Sequence, residues 1–168
     1  MIYIDIDGTL ADTDGYLSEV NPNAFKDTHT LFKTFFKFYE TVFKESKPLV
    51  NLDFIKDLED FTLLTAMPNK FNIASFTDDV DTIMARMYQN KLDWVHEHIG
   101  DCKVIITDGR SDKVKYCNGP ADILIDDNKD TGKKWQEAGG TYYSSVAEFL
   151  RKKDNVVTGQ TMSVTQLW

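Results

Sequence analysis

Short runs of mostly apolar residues recur along this chain and are separated by stretches with helical spacing. A continuous apolar run is typical of a strand that is covered on both faces in a parallel sheet, whereas a half-exposed strand alternates apolar and polar residues. Five short runs are predicted strands: Ile2–Ile4, Phe61–Ala66, Val104–Thr107, Ile123–Ile125 and Thr141–Tyr143.

Apolar positions at helical spacing occupy most of the intervals between these runs. Helices are predicted over residues 31–43, 52–58, 77–100 and 111–117, around Trp135, and over residues 145–152. Residues 12–23 are rich in Asp, Gly, Asn and Pro and are predicted to form a loop or hinge. Strands that alternate with helices predict an α/β fold, a doubly wound, Rossmann-like parallel sheet of about five strands.

The chain has 168 residues and a formal net charge of −8. Long nucleic acid and anionic membrane surfaces are not expected partners of so acidic a protein. No run approaches the roughly 20 apolar residues of a membrane span, and the first strand leaves no room for a leader. The expected location is therefore cytoplasmic. A small anionic substrate would need local positive groups or a metal ion.

Acidic residues follow the first and fourth predicted strands directly. Asp5 and Asp7 come at the end of the first strand, and Asp126 and Asp127 at the end of the fourth. Open α/β sheets bind ligands at the carboxyl ends of their strands, and Gly8 lets the chain turn so that Asp5 and Asp7 converge. Carboxylates held that close repel each other unless a cation or a shared proton intervenes, and a hard divalent metal ion is the natural remedy.

Two more residues are expected at the same edge of the sheet, Thr65 at the end of the second strand and Lys113 shortly after the third. Together with the two acidic pairs they resemble the four motifs of the haloacid dehalogenase-like superfamily of phosphohydrolases. Asp-Ile-Asp-Gly-Thr-Leu-Ala-Asp, from residue 5, resembles the first motif, and Leu-Leu-Thr-Ala, from residue 63, the second. The region of Lys113 resembles the third, and Ile-Leu-Ile-Asp-Asp, from residue 123, the fourth.

The resemblance covers roughly residues 1–152. Four segments are more narrowly similar to the 5′(3′)-deoxyribonucleotidase family, especially its short bacteriophage and bacterial members. These segments are residues 64–68, 91–95 and 123–127, and Trp135 followed by Gly139 and Gly140. Their residues flank the positions that perform the chemistry. If the protein is phage-encoded, the expected location is the host cytoplasm.

The resemblance implies a nucleophile and an acid/base in the first motif. A carboxylate can attack phosphorus to form an aspartyl-phosphate, and Asp5 is the candidate nucleophile. Asp7 is placed to protonate the leaving oxygen and then to take a proton from water. The implied cofactor is Mg²⁺, held by the Asp5 side chain, the Asp7 backbone carbonyl, and Asp126 and Asp127. Asp127 is the favoured direct ligand and Asp126 the favoured water-mediated one, although the sequence does not separate them.

Phosphate binding is assigned to the second and third motifs. The Thr65 hydroxyl and the Ala66 backbone N–H are candidate donors to the phosphoryl oxygens. Lys113 is the candidate fixed positive charge, and Lys115, two residues on, could take the same role.

The superfamily inserts a small helical cap between its first two motifs. The corresponding division is an α/β core of residues 1–14 and 61–154, a cap of residues 15–60 inserted after the first strand, and a C-terminal tail of residues 155–168. For the tail, an edge strand, a docked extension and disorder all stay open. In the deoxyribonucleotidases aromatic cap residues stack on the base. The candidate rings here are Phe32, Phe35, Phe36 and Tyr39, with packing in the cap core as the alternative.

The function expected from these residues is a Mg²⁺-dependent phosphomonoesterase that hydrolyses nucleoside monophosphates, with 5′(3′)-deoxyribonucleotides as the favoured substrates. The partner is then a small-molecule phosphate monoester. A phosphatase for a sugar phosphate or a terminal nucleotide phosphate is one alternative, and a catalytically idle protein that binds a phosphorylated ligand is another. A homodimer through the cap or the tail is compatible with the sequence.

Overall fold

A computed structural model describes residues 1–154. Its centre is a five-stranded sheet in the order β3-β2-β1-β4-β5, with every neighbouring pair parallel. The strands are β1 (Ile2–Ile4), β2 (Phe61–Ala66), β3 (Val104–Thr107), β4 (Ile123–Ile125) and β5 (Thr141–Tyr143). The predicted α/β fold with a doubly wound parallel sheet is therefore confirmed, and the five strands have the predicted bounds.

Both faces of the sheet are covered, which explains why the strands lack polar alternation. One face carries a cluster that includes Ile4, Leu63, Ile125, Trp94 and Val95. The opposite face carries a smaller cluster of Tyr3, Leu64, Leu124 and Trp135. Successive residues of one strand belong to different clusters because side chains alternate between the two faces.

Helices occupy the intervals between the strands. They are α1 (Thr13–Val20), α2 (Thr28–Lys37), α3 (Lys70–Ala74), α4 (Val80–His98) and α5 (Lys129–Glu137), and residues 146–154 are also helical. Shorter 3₁₀ helices span Ala24–Lys26, Leu52–Asp57 and Arg110–Tyr116. Among residues 1–154, no helix has the length and apolar character needed to cross a membrane.

The segment between β1 and β2, residues 5–60, contains α1 and α2. Its apolar side chains form a third cluster with residues from α3, α4 and the end of β2. The buried members are Leu17, Ala24, Val42, Phe43, Met67, Ile73 and Met87. This inserted segment therefore packs above the carboxyl edge of β2, beside the ends of the strands.

Two predictions for this segment were wrong. Most of the loop or hinge predicted over residues 12–23 is helical, because α1 occupies Thr13–Val20 and Asp12 caps it by accepting a hydrogen bond from the Gly15 N–H at 2.9 Å. The helix predicted over residues 31–43 corresponds to α2, which ends at Lys37 and not at Phe43. Residues 38–45 continue as turns. A residue of α4 holds them in place, since the Asn90 side chain donates to the Glu40 carbonyl at 2.7 Å. Tertiary contacts replace helix propagation there.

Two smaller differences concern the helices that follow β2. The helix α3 was not predicted, and α4 begins at Val80, later than the predicted start at residue 77. The Thr77 hydroxyl accepts a hydrogen bond from the Asp79 N–H at 3.1 Å, so it organises the turn before the helix. The predicted C-terminal tail, residues 155–168, lies outside the described residues.

Candidate active site

The carboxyl end of β1 turns sharply, and this turn places the first two acidic residues. The Ile6 N–H donates to Asp5 Oδ1 at 2.8 Å, and Asp5 is buried. Gly8 has a φ of +73°, a left-handed conformation that favours glycine. The N–H groups of Leu10 and Ala11 both donate to the Ile6 carbonyl. Because the chain reverses immediately after Asp7, Asp5 and Asp7 line one cavity.

The second acidic pair meets the first across the sheet. β1 and β4 are neighbours with Ile4 paired to Ile125, so Asp5 and Asp126 are the next residues on adjacent strands. Lys113 lies between them, with Nζ 2.9 Å from Asp5 Oδ1 and 2.7 Å from Asp126 Oδ2. Lys113 and Asp126 are almost fully buried. The structure thus brings the predicted lysine of the third motif onto the predicted carboxylates.

Lys115, the alternative lysine, lies elsewhere. It is exposed, and its Nζ pairs with Asp112 Oδ1 at 2.6 Å. Only Lys113 of the two contacts the carboxylates at the end of the sheet.

Burial and mutual repulsion disfavour the ionised form of the carboxylates in this cluster. Burial, and next the neighbouring Asp5, raises the pKa of Asp126 to about 6. The same two causes raise the pKa of Asp127, against the opposing fields of Arg110 and Lys113. Burial acts to lower the pKa of Lys113, but Asp5 and Asp126 outweigh it and hold the pKa above its ordinary value. One lysine therefore serves several carboxylates in a desolvated site.

The donor set fits a hard divalent cation. One carboxylate oxygen from each of Asp5, Asp126 and Asp127 lies within 4.8 Å of the other two. Carboxylate oxygens gathered in this way could hold a hard divalent cation, the class to which Mg²⁺ and Ca²⁺ belong. Gly8 leaves room for this set, because a Cβ at position 8 would lie 2.5 Å from Asp127 Oδ2. The acidic pairs singled out in the sequence are thus the residues that could hold the metal.

Asp7 belongs to a separate group of contacts. Its Oδ2 accepts a hydrogen bond from the Thr65 hydroxyl at 3.1 Å and forms a short ion pair with Lys91 Nζ. Lys91 also donates to the Thr65 hydroxyl at 3.2 Å. Asp7 Oδ1 is buried and has no hydrogen-bond partner among the described residues. The structure therefore places the Thr65 hydroxyl, a candidate phosphate donor, against Asp7.

Lys91 was not singled out as a site residue from the sequence. It lies in α4 among the buried residues of one helix face, Met87, Asn90, Trp94 and Val95. A lysine within the apolar stripe of an amphipathic helix is unusual, because a buried ammonium needs a partner. That position in the stripe was the available signal.

A cavity of about 660 Å³ opens above these groups. This volume is in the range of small-molecule sites. The part of its lining that we call the base consists of Asp5, Asp7, Ala66, Lys113 and Arg110. Arg110 was not proposed from the sequence, although it lies between β3 and Lys113 and adds positive charge beside Asp127. The base of the cavity combines carboxylates with two cations.

The inserted segment supplies an apolar wall to the same cavity. Phe32 and Phe35 line it, as does Phe43, which was not among the candidate rings. Phe36 stacks instead on Phe76, with ring centroids 4.8 Å apart. The Tyr39 hydroxyl points to the neighbouring glutamate, donating to Glu40 Oε1 at 3.5 Å. Of the four candidate rings, two face the cavity.

No known protein-family model matches this chain, and no curated protein matches it. What the site can do follows from its own groups. It offers a buried carboxylate paired with Lys113, a second carboxylate paired with Lys91, and a place for a divalent cation, all beside one cavity.

Gly8→Ala is expected to lower the free energy of unfolding by more than backbone strain alone would. A left-handed residue costs about 1–2 kcal/mol when glycine is replaced, and at position 8 the new Cβ would also collide with Asp127. The matched control is Gly100→Ala, where φ is +95° and nothing lies within 4 Å of the new Cβ. Urea unfolding should show a larger loss of stability for Gly8→Ala; equal losses would mean that Asp127 yields freely.

Proposed function

We propose that this chain is a Mg²⁺-dependent phosphomonoesterase, similar to the haloacid dehalogenase-like phosphohydrolases, that acts on nucleoside monophosphates. The observation that carries the proposal is the pairing of Lys113 with both Asp5 and Asp126 at the base of a cavity that Asp7 also lines. A nucleophile, a proton donor and positive charge are the three elements that phosphoryl transfer through a carboxylate requires.

Asp5 is the proposed nucleophile. Both of its contacts, from the Ile6 N–H and from Lys113, fall on Oδ1. These contacts fix the carboxylate in one orientation and leave Oδ2 as the oxygen proposed to attack phosphorus. The attack forms an aspartyl-phosphate and breaks the bond between phosphorus and the leaving oxygen.

Asp7 is the proposed acid and base. It lines the cavity two residues after Asp5, and the turn at Gly8 keeps the two side chains on the same side. It would protonate the leaving oxygen in the first half of the reaction. In the second half it would remove a proton from the water that hydrolyses the aspartyl-phosphate.

Positive charge at the base of the cavity is proposed to bind the phosphate. Lys113 and Arg110 are the side chains that supply it, and the Ala66 backbone N–H is the proposed neutral donor. Mg²⁺ bound by Asp5, Asp126, Asp127 and the Asp7 carbonyl would neutralise charge on the phosphoryl oxygens. These groups explain how a protein with a net charge of −8 would accept an anion.

The apolar wall of the cavity favours a nucleotide as the substrate over a smaller phosphate ester. Phe32, Phe35 and Phe43 present aromatic surface, and Asn69 and Asn72 offer amide groups at the same cavity. A flat, partly polar base can stack on such rings and bond to such amides. A sugar phosphate would leave the apolar wall without a partner. Deoxyribonucleotides are the substrates proposed within this class, on the resemblance to the 5′(3′)-deoxyribonucleotidases.

A panel of phosphate esters tests the proposal. Phosphate release is measured with 5′- and 3′-deoxyribonucleotides, ribonucleotides, nucleoside diphosphates and sugar phosphates, each with Mg²⁺ and with EDTA. We expect a higher kcat/KM for nucleoside monophosphates, and only with Mg²⁺. An even profile would indicate a general phosphatase. Ligand binding in calorimetry without phosphate release would indicate an idle binding protein.

Asp5→Asn is expected to reduce kcat to below about one thousandth of the original value, because the amide is not an anionic nucleophile. The asparagine has nearly the same size, so the melting temperature should stay close to that of the unchanged protein. Asp60→Asn, an exposed position at the opposite edge of the sheet, is the control and should keep full activity. Hydrolysis by Asp5→Asn at more than a tenth of the original rate would contradict the mechanism.

The pH dependence of Mg²⁺ binding follows from Asp126. The pKa of its carboxyl is about 6 in the folded chain, against an ordinary value of 3.8. Without metal the folded state therefore takes up this proton as pH falls from about 6 to about 4, so this group makes the fold more stable toward the acid end of that window. Mg²⁺ needs the deprotonated form, so the proton competes with it.

Mg²⁺ at about 100 times its Kd is accordingly expected to raise the Tm by about 5–10 °C at pH 7.5. At pH 5 the same Mg²⁺ concentration should give an increase about half as large, because most of Asp126 is then protonated and the apparent affinity falls about 10-fold. Asp127→Asn should remove most of the increase, whereas Asp130→Asn, exposed on α5, should keep it. Differential scanning fluorimetry measures all three, and a Tm unaffected by Mg²⁺ at pH 7.5 would argue against the metal site.

A further inference from the structure

Lys91 is completely buried, and each direction in which its ammonium group points has a partner. Nζ forms the ion pair with Asp7 Oδ2, donates to the Thr65 hydroxyl at 3.2 Å, and lies 4.0 Å from the centroid of the Phe43 ring. A carboxylate, a hydroxyl and an aromatic face together can satisfy a buried cation. The three contacts leave the lysine no freedom to reach Asp5 or the cavity in their place.

Asp7 is held from one side only. Lys91 and Thr65 both contact Oδ2, and Thr65 donates to it while accepting from Lys91, so the three side chains form a closed triangle. This triangle sets the direction of the carboxylate. A residue that exchanges protons with a substrate must be held within hydrogen-bond reach of the reacting oxygen.

A buried ion pair is a poor way to stabilise a helix face. Lys91 lies between Met87 and Trp94 on α4, where an apolar side chain would pack without a desolvation cost. The contacts that distinguish lysine from methionine at this position are those of the ammonium group with Asp7, Thr65 and the Phe43 ring, and the ion pair with Asp7 is the one that neutralises its charge.

We infer that Lys91 is a positioning residue that holds the Asp7 carboxylate in place for proton transfer to the leaving oxygen. The inference rests on the proposed phosphomonoesterase function. In the first half of the reaction the proton passes from Asp7 to the leaving oxygen as its bond to phosphorus breaks. In the second half water attacks the phosphorus of the aspartyl-phosphate and its proton passes to Asp7. The bond between phosphorus and the Asp5 oxygen breaks, which releases inorganic phosphate and restores the Asp5 carboxylate. Lys91 keeps its own proton throughout and touches no reacting atom.

The same face of α4 also fixes the inserted segment. Next to Lys91, Asn90 donates to the Glu40 carbonyl at 2.7 Å, and one turn later Trp94 donates to the Ser46 carbonyl at 2.7 Å. Phe43 lies between these two attachment points and lines the cavity. One helix face thus positions both the proposed acid and part of the wall against which the leaving group would lie.

The test compares two leaving groups. A nucleoside leaves as an alkoxide and needs a proton, whereas p-nitrophenolate is a stable anion and can leave without one. Lys91→Met keeps the length and apolar character of the stem and removes the charge. We expect the rate constant for release of the leaving group in a single turnover, before the aspartyl-phosphate is hydrolysed, to fall about 100-fold with a nucleoside monophosphate. With p-nitrophenyl phosphate the same rate constant should fall less than about 5-fold.

Two reference variants calibrate the result. Asp7→Asn should show the same dependence on the leaving group, and adding Lys91→Met to it should cause little further loss, because the two residues act as a unit. Arg86→Met removes an exposed cation from the same helix and should leave both activities unchanged. Equal losses on the two substrates for Lys91→Met, or full additivity with Asp7→Asn, would overturn the inference.

Folding is followed separately, by circular dichroism and Tm. Lys91→Gln, which keeps a hydrogen-bond donor, is the second variant and should fold and retain part of the nucleotide activity. If both substitutions abolish the folded state, Lys91 supports the core and the inference is wrong. If the unchanged protein hydrolyses neither substrate, the proposed function itself fails, and the result is distinct from a failure of Lys91 alone.

Discussion

The parallel pairing of β1 with β4 is the constraint on which this structure depends. Ile4 pairs with Ile125, and the Asp5 N–H donates to the Ile125 carbonyl at 2.9 Å. Adjacent strands lie only about 4.8 Å apart, so the residues that follow this pair, Asp5 and Asp126, must approach each other. A fold that buries two carboxylates at this distance needs positive charge between them, and Lys113 supplies it. The order of the strands thus brings two carboxylates into repulsive contact, and Lys113 offsets that repulsion.

Asp5 and Asp7 each have their own lysine. Lys113 contacts Asp5 from the segment after β3, and Lys91 contacts Asp7 from α4. Carboxylates two residues apart therefore have different environments, which is the condition for giving them different chemical tasks. On the proposed function, one is the nucleophile and the other exchanges protons.

The inserted segment completes the cavity that the strand ends begin. Its rings provide an apolar wall beside the charged base of the cavity. Hydrogen bonds from Asn90 and Trp94 of α4 fix the position of that wall relative to Asp7. The edge-to-face contact between Phe35 and Phe43, with centroids 5.5 Å apart, joins the α2 part of the wall to the turns that follow. A substrate bound here would contact residues from both parts of the fold at once.

The sequence by itself determined the strands, the fold class and the acidic pairs at the strand ends. Apolar runs such as Ile2–Ile4 are local signals, and parallel strands bring their carboxyl ends to one edge whatever lies between them, so the meeting of Asp5, Lys113 and Asp126 could be anticipated. Only the tertiary structure decided the position of Lys91 against Asp7, which are 84 residues apart. It also decided the early end of α2 and the place of Phe43 in the wall. These depend on contacts between segments that are far apart in the chain, such as those of Lys91 with Asp7 and of Asn90 with the Glu40 carbonyl. A pattern around one partner of such a contact can mark it as unusual, but it does not identify the other partner.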